Sequence, residues 1–360
     1  MPPVDDPILK ALQFQRAGVA HRSLSSPLYA SLLDTTIADY EAGGVCFDVF
    51  AAAPSGLDPV PDALILRFLG ALHRLVLEDR LPDLAAWFPT AGGTFDPIGP
   101  NPGPTFLTAV AANRDDLVEG LSRGVQTNEV GRCATLAVGF TDLLRRWSLP
   151  LRLLEIGASA GLNLRWDQWR YVADGYWGDP AAALCFGDDA YRAPQPDVSA
   201  PLGPDTAVVE RSGCDRAPID PQTEEGRLVL RSYVWPDQAD RHARLVAALA
   251  AAAEVPAEVV RADAGEWVAD RLAESAEGTT TVVYHSIVWQ YLPASTRQRV
   301  QDVLTAAGRL ARPSAPLAWL RMEPGDDPGE AAELRLRTWP GGEDALIAFS
   351  GYHGRPVWSA

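Results

Sequence analysis

Lysine is all but missing from this 360-residue chain: Lys10 stands alone among 31 basic positions, and arginine supplies the rest. Abundant alanine and arginine with so little lysine is what GC-rich coding produces, so the bias carries no function. Positive charge as a whole is short, with 31 basic residues against 47 acidic and a net charge of −16. A polyanion would meet repulsion at long range, and no basic cluster larger than Arg145-Arg146 offsets it, which argues against DNA or RNA as a partner. Cysteine is scarce as well. Cys46, Cys133, Cys185 and Cys214 are widely scattered, without C-x-x-C spacing or a nearby Cys/His pair, so no metal site is expected and buried free thiols are. Long apolar runs are missing too, since nothing approaches the roughly 18 residues a membrane span needs. The longest weakly polar tract, Leu245 to Ala253, is mostly alanine and reads as helix. The opening MPPVDDPILK has no basic stretch followed by an apolar core, so a signal peptide is not expected and the cytoplasm is the default.

What is present is an ordinary globular composition, 47% hydrophobic and 22% charged, long enough to bury a full core. Residues 1–148 read as an all-helical domain. Ser26-Pro27 starts a helix and Gly43-Gly44 stops it, with Leu28, Leu32, Ile37 and Tyr40 at roughly helical spacing between. Asp62 to Arg80 repeats the pattern with Ile65, Phe68, Leu69, Leu72, Leu75 and Val76. Residues 91–104 form a Gly/Pro loop of the irregular length often found at functional sites. Gln126 to Trp147 is the most regular helix, with Cys133, Ala137, Phe140, Leu144 and Trp147 on one face. Thr127 or Asn128 would cap it. The polar cluster at its start, including Asn128 and Arg132, could instead lie over a ligand pocket.

From Leu151 the pattern becomes alternating strand and helix over residues 149–360, with an aromatic-rich insertion at about 165–206. Leu151 to Gly157 is a short apolar strand, and Gly157, Ala158, Ser159, Ala160 and Gly161 form the turn after it, before a helix expected from Asn163. A buried strand, a Gly-rich turn and a helix N-terminus are how doubly wound sheets hold nucleotide-like ligands. The dinucleotide fingerprint G-x-G-x-x-G fails, because Ser159 and Leu162 occupy two of its glycine positions. The same five residues also match G-x-S-x-G, the nucleophile elbow of α/β hydrolases, with Ser159 as nucleophile and His285 or His353 as base. That reading needs several strands upstream, where the sequence is helical.

Further strands are expected at Ala207–Asp215, Ala257–Ala262, Thr281–Ile287 and Leu317–Met322. Glu333–Trp339 and Ala345–Tyr352 read as a hairpin joined by Pro340-Gly341-Gly342.

The pattern Glu155-x-Gly157-x-x-x-Gly161 resembles the first motif of class I S-adenosylmethionine-dependent methyltransferases, with Ser159 where that family usually has a glycine. Gly213-Cys214-Asp215-Arg216-Ala217-Pro218 is similar to the same family's G-x-D-x-S-P. Asp263-Ala264 resembles its adenine-contacting turn, and the terminal hairpin resembles the end of its sheet. The resemblance covers about 210 residues with four motifs in order. It implies a doubly wound, Rossmann-like α/β sheet, mostly parallel with a C-terminal antiparallel hairpin, and S-adenosylmethionine as cofactor. The residues it nominates for the cofactor are Glu155, Gly157, Ala158, Ser159, Gly161, Asn163, Asp215, Asp263 and Ala264. Asp215 would accept the ribose hydroxyls, with Glu210 as a second candidate. Asp215 follows Gly161 by 54 residues, where roughly 15 to 20 are usual for one crossover. Taken whole, including Gln126 to Arg132 and Ile156 to Asn163, the chain also resembles a bacterial family known as domain of unknown function 2332, to which no reaction is attached.

The activity implied is methyl transfer to a small or medium organic molecule. A non-catalytic module that binds S-adenosylmethionine or a nucleoside is the alternative. His285, at the end of the fourth strand, is the candidate general base, with an unperturbed pKa near 6.5. Tyr284 and Trp289 could wall the substrate, although helix-to-sheet packing accounts for them equally. Sequence leaves the methyl acceptor and the oligomeric state open.

Overall fold

In a computed structural model, residues 6–19, 25–274, 276–325 and 331–360 are described. The chain divides into two compact units, residues 1–127 with 223–243, and residues 128–222 with 244–360. The helix over Cys133–Trp147 therefore belongs with the sheet and not with the N-terminal helices.

The first unit is helical. Pro27–Glu41 begins as expected, with Ser26 as N-cap and its hydroxyl accepting from the Tyr29 amide. Leu64–Leu77 buries Ile65, Phe68, Leu69, Leu72 and Val76 on its inward face, as the spacing predicts. A segment far along the chain completes this unit. Glu224–Ser232 is capped by Thr223, and it brings the Ser232 carbonyl to His73, which is wholly buried.

The second unit is built on an eight-stranded sheet. Its strands are β1 (Leu151–Ile156), β2 (Val208–Asp215), β3 (Glu258–Arg261), β4 (Thr280–Ser286), β5 (Leu317–Pro324), β6 (Ala332–Trp339), β7 (Asp344–Ser350) and β8 (Val357–Ser359). Their spatial order is β8-β7-β6-β5-β4-β1-β2-β3. The five strands β3-β2-β1-β4-β5 are parallel and the last three add antiparallel neighbours. The hairpin stands as expected at β6 and β7, and β8 is an added edge. This is a mixed α/β architecture with a large, mostly parallel sheet.

Burial follows the layering. Every residue of β4 is buried, as befits a central parallel strand covered on both faces. In β6 buried and half-buried residues alternate instead. Along β1, Leu154 and Ile156 join a cluster with Trp267, Val268, Val300 and Leu304 from the helices Ala264–Arg271 and Ala294–Gly308. On the other face, Phe140 of the helix Cys133–Trp147 meets Tyr284 of β4 edge-on at 5.2 Å and Trp166 at 4.8 Å. No described helix is long and apolar enough to cross a membrane.

Two expected elements differ, and the first is the helix read from Gln126, which begins only at Cys133 after a 3-10 turn over Val130–Arg132. The turn after β1 is followed by a seven-residue 3-10 segment, Leu162–Gln168, with Arg165 outside helical geometry, and not by an α-helix. The Arg165 guanidinium bonds the Gly161 and Val255 carbonyls, and Asp167 pairs with Arg211. These long-range anchors hold the segment open. The aromatic stretch beyond it forms a separate three-stranded sheet over residues 170–186.

Candidate functional site

Strand order reverses between β4 and β2, with β1 between them, and at such a point the carboxyl ends of adjacent strands diverge and leave a crevice. A cleft of about 560 Å³ opens there. Ile156 and Gly157 of β1, Cys214 to Arg216 of β2 and Arg261 to Ala264 after β3 line one side, and Val288, Tyr291, Leu292 and Pro293 after β4 line the other. Its volume suits a small ligand, and its walls combine an apolar face with few polar groups. Tyr291 stands at 65% exposure, a ring free to cover a planar group.

The turn after β1 is held from several directions. Gly157, Ser159 and Gly161 all have positive φ. Each amide from Gly157 to Leu162 already meets a protein acceptor. Gly157 and Ala158 donate to the Cys214 carbonyl, Ser159 to Asp215 Oδ2 at 2.9 Å, and Gly161 to the Ala158 carbonyl. Ala160 and Leu162 both donate to Asn128 Oδ1, at 3.2 and 3.0 Å. The turn therefore offers no spare row of N–H groups to a phosphate, and the short 3-10 segment brings no helix terminus. In a nucleophile elbow the amide after the serine helps to bind the oxyanion. Here that amide, Ala160, is occupied by Asn128.

Asn128 thus fastens the turn. It does not cap the following helix, whose lead-in is capped by Glu129 through the Gly131 amide. Gly157 and Gly161, both nominated for the cofactor, stand close against the protein's own side chains. A Cβ on Gly157 would lie 2.5 Å from Val288 Cγ2, and one on Gly161 would lie 2.8 Å from Val259 Cγ2. At both positions the space a Cβ would take is filled by the protein's own side chains, while the Gly157 backbone still lines the cleft.

Among the acids, Asp215 lies at the cleft and spends one oxygen on Ser159 and the other on the Ala217 amide. Glu210 stands five residues earlier, clasped by Arg152 and Arg271. Asp263 caps the helix Ala264–Arg271 through the Gly265 and Glu266 amides and accepts from the Thr296 hydroxyl. Burial would raise its pKa, but the Thr296 and backbone hydrogen bonds outweigh that and hold it below its ordinary value.

Glu155 is 2% exposed and does not line the cleft. It pairs in register with Tyr284. Burial pushes its carboxyl up to about 8, tempered by the Tyr284 hydroxyl and by Arg132 and Arg165. Cys133 donates to Asn163 at 3.2 Å, and both are buried. Arg132 donates to the Ser286 carbonyl at 2.9 Å.

His285 points to the other face of β4 from Tyr284. It is fully buried, its ring stacks on Trp289 at 4.8 Å, and its Nδ1 lies 2.6 Å from Glu323 Oε1. Of the residues nominated from sequence, the structure gathers Gly157, Asp215, Asp263 and Ala264 at the cleft. Glu155, Ala158, Ser159, Gly161, Asn163, Asn128, Arg132, Tyr284, His285 and Trp289 are not among its lining residues. The sequence reading missed Tyr291, Leu292 and Pro293 as a wall, although an aromatic-Leu-Pro run directly after a buried strand was a usable signal.

Fold and cleft together define a mixed α/β protein with a ligand-sized crevice at the switch point of its parallel strands. The chain belongs to the family described as an uncharacterized protein conserved in bacteria (DUF2332), which matches residues 11–358. No curated protein matches it.

Proposed function

We propose that the cleft binds S-adenosylmethionine and that the protein transfers its methyl group to a small or medium organic molecule. The observation that carries the reading is Asp215, placed in the cleft at the carboxyl end of β2 beside the switch point. An ionised carboxylate has about four acceptor sites. Two are taken by the Ser159 and Ala217 amides, so capacity remains for a ribose diol. Ala264 and the wall of Val288, Tyr291, Leu292 and Pro293 suit the faces of an adenine ring. The residues present therefore fit the nucleoside half of the cofactor.

S-adenosylmethionine supplies an activated methyl carrying its own leaving group, which leaves the chain the tasks of orientation and water exclusion. The filled amides of the 157–162 turn favour a ligand without phosphate at that position. His285 does not line the cleft, so the reading asks no proton transfer of it. Glu155, nominated for the cofactor by the family resemblance, is buried and does not line the cleft. That observation favours a second reading, a nucleoside-binding module without turnover.

Calorimetric titration with S-adenosylmethionine and S-adenosylhomocysteine tests the cofactor, and product release across a metabolite panel separates enzyme from module. Asp215→Asn should weaken binding by about 1.5–3 kcal/mol, the range for hydrogen bonds to a charged group. Unchanged affinity in that variant removes Asp215 from the ribose and with it the support for this cofactor.

A further inference from the structure

The loop that walls the cleft leaves β4 through Ile287, whose φ is +50°. A β-branched residue rarely adopts that left-handed conformation, because its Cβ substituents crowd the backbone, so something outside the residue must hold it there. The structure supplies one atom for the purpose. Glu323 Oε1, near the end of β5, accepts from the Val288 amide at 3.1 Å, the Trp289 amide at 3.2 Å and His285 Nδ1 at 2.6 Å. Directly before them, the Ile287 amide donates to the Met322 carbonyl at 2.9 Å. His285 in turn stacks on Trp289, 9° from parallel, so ring and carboxylate both hold Trp289. Val288 then closes over Gly157, and Tyr291, Leu292 and Pro293 follow as the rest of the wall.

We infer that Glu323 is a positioning residue for the cleft. Its one oxygen gathers His285 and two consecutive amides, and thereby fixes the loop Ile287–Pro293 as a wall against the turn after β1. Glu323 is not itself a lining residue, and β5 is separated from β1 by β4. The shape of the cleft is thus set from two strands away. His285 acts here through Glu323 and Trp289 and is not among the lining residues of the cleft. The effect on ligand affinity rests on the reading of the cleft given above, whereas the clasp itself does not.

Two conservative replacements separate the position of the oxygen from its charge. Glu323→Asp keeps the charge but withdraws the carboxylate by one methylene from three donors. Glu323→Gln loses the charge and keeps an acceptor oxygen at the same reach. Hydrogen–deuterium exchange is followed in the full-length protein over a peptide spanning 287–293, with 281–286 as control. Loss of two amide hydrogen bonds should speed exchange of the loop about tenfold or more in the Asp variant. The Gln variant should change less, and the control should hold in both. S-adenosylhomocysteine affinity should fall in the same order, Asp below Gln below wild type. An unchanged loop in Glu323→Asp, or a Gln variant looser than the Asp variant, would overturn the clasp. A loosened loop with undiminished affinity would overturn its control of the cleft. Failure of the wild-type protein to bind S-adenosylhomocysteine would sink the cofactor reading instead, and the exchange contrast would then decide the clasp alone.

Discussion

At the scale of single residues, the informative positions are polar groups the fold has taken out of water. Glu155 is the sharpest case. Its carboxyl ordinarily titrates near 4.5 and is raised by burial to about 8 in the folded chain. Across that interval the folded state holds a proton that the unfolded state has released. The stabilisation is therefore complete below about 4.5 and is lost as pH rises through 8. Glu155→Gln keeps the shape and removes the titration. It should raise stability at about pH 8 by roughly 1–3 kcal/mol and flatten the slope between those values, as read by urea unfolding at several pH values. An unaltered slope would mean that the carboxyl reaches water after all. Gly157 teaches a related lesson. Sequence marks it as a ligand contact, yet its freedom from Cβ serves Val288 and a positive φ. A larger residue there would damage the fold before it reached any ligand.

At the scale of elements, β1, β4 and β5 were legible because buried parallel strands are short, mainly apolar runs bounded by turn residues. Ser26-Pro27 and Gly43-Gly44 were legible because capping is local. The segment after β1 was not. Helix is the usual sequel to such a strand, but Leu162–Gln168 is held by Arg165 reaching Val255, 90 residues on, and by Asp167 reaching Arg211, 44 residues on. Nothing within the segment announces those partners. The parity of β4 was hidden in the same way, since either Tyr284 or His285 could have faced the helix Cys133–Trp147. Phe140 settles it by meeting Tyr284 and Trp166 together. That contact carries a prediction. Phe140 is fully buried, so Phe140→Ala should cost about 3–5 kcal/mol in denaturant unfolding of the sheet unit. A loss under about 1 kcal/mol would show that the surrounding rings collapse into the space.

At the scale of the whole molecule, the division into two units has a consequence for pH. Sequence could not assign residues 223–243 to the helical unit, because the assignment depends on partners such as His73 and Ser232, 159 positions apart. His73 Nδ1 must donate to the Ser232 carbonyl, so its Nε2, 2.7 Å from the Thr90 hydroxyl, is the acceptor of a neutral ring. Burial, only partly offset by that carbonyl, lowers its pKa from 6.5 to about 3. On acidification the unfolded ring takes a proton that the folded ring refuses. The helical unit should therefore hold full stability above about 6.5 and lose it towards pH 3, at a slope approaching 1.4 kcal/mol per pH unit. Glu155 gives the sheet unit the opposite slope between about 4.5 and 8. Urea unfolding read by hydrogen exchange can report the units separately, with peptides from the helix Leu64–Leu77 and from β1. As pH falls from about 6.5 to 4.5, the midpoint of the first should drop while that of the second rises. His73→Gln should remove the first response and leave the second, and Glu155→Gln should do the reverse. If both peptides move together in every variant, neither buried group sets the pH response of its own unit, and the two unfold as one.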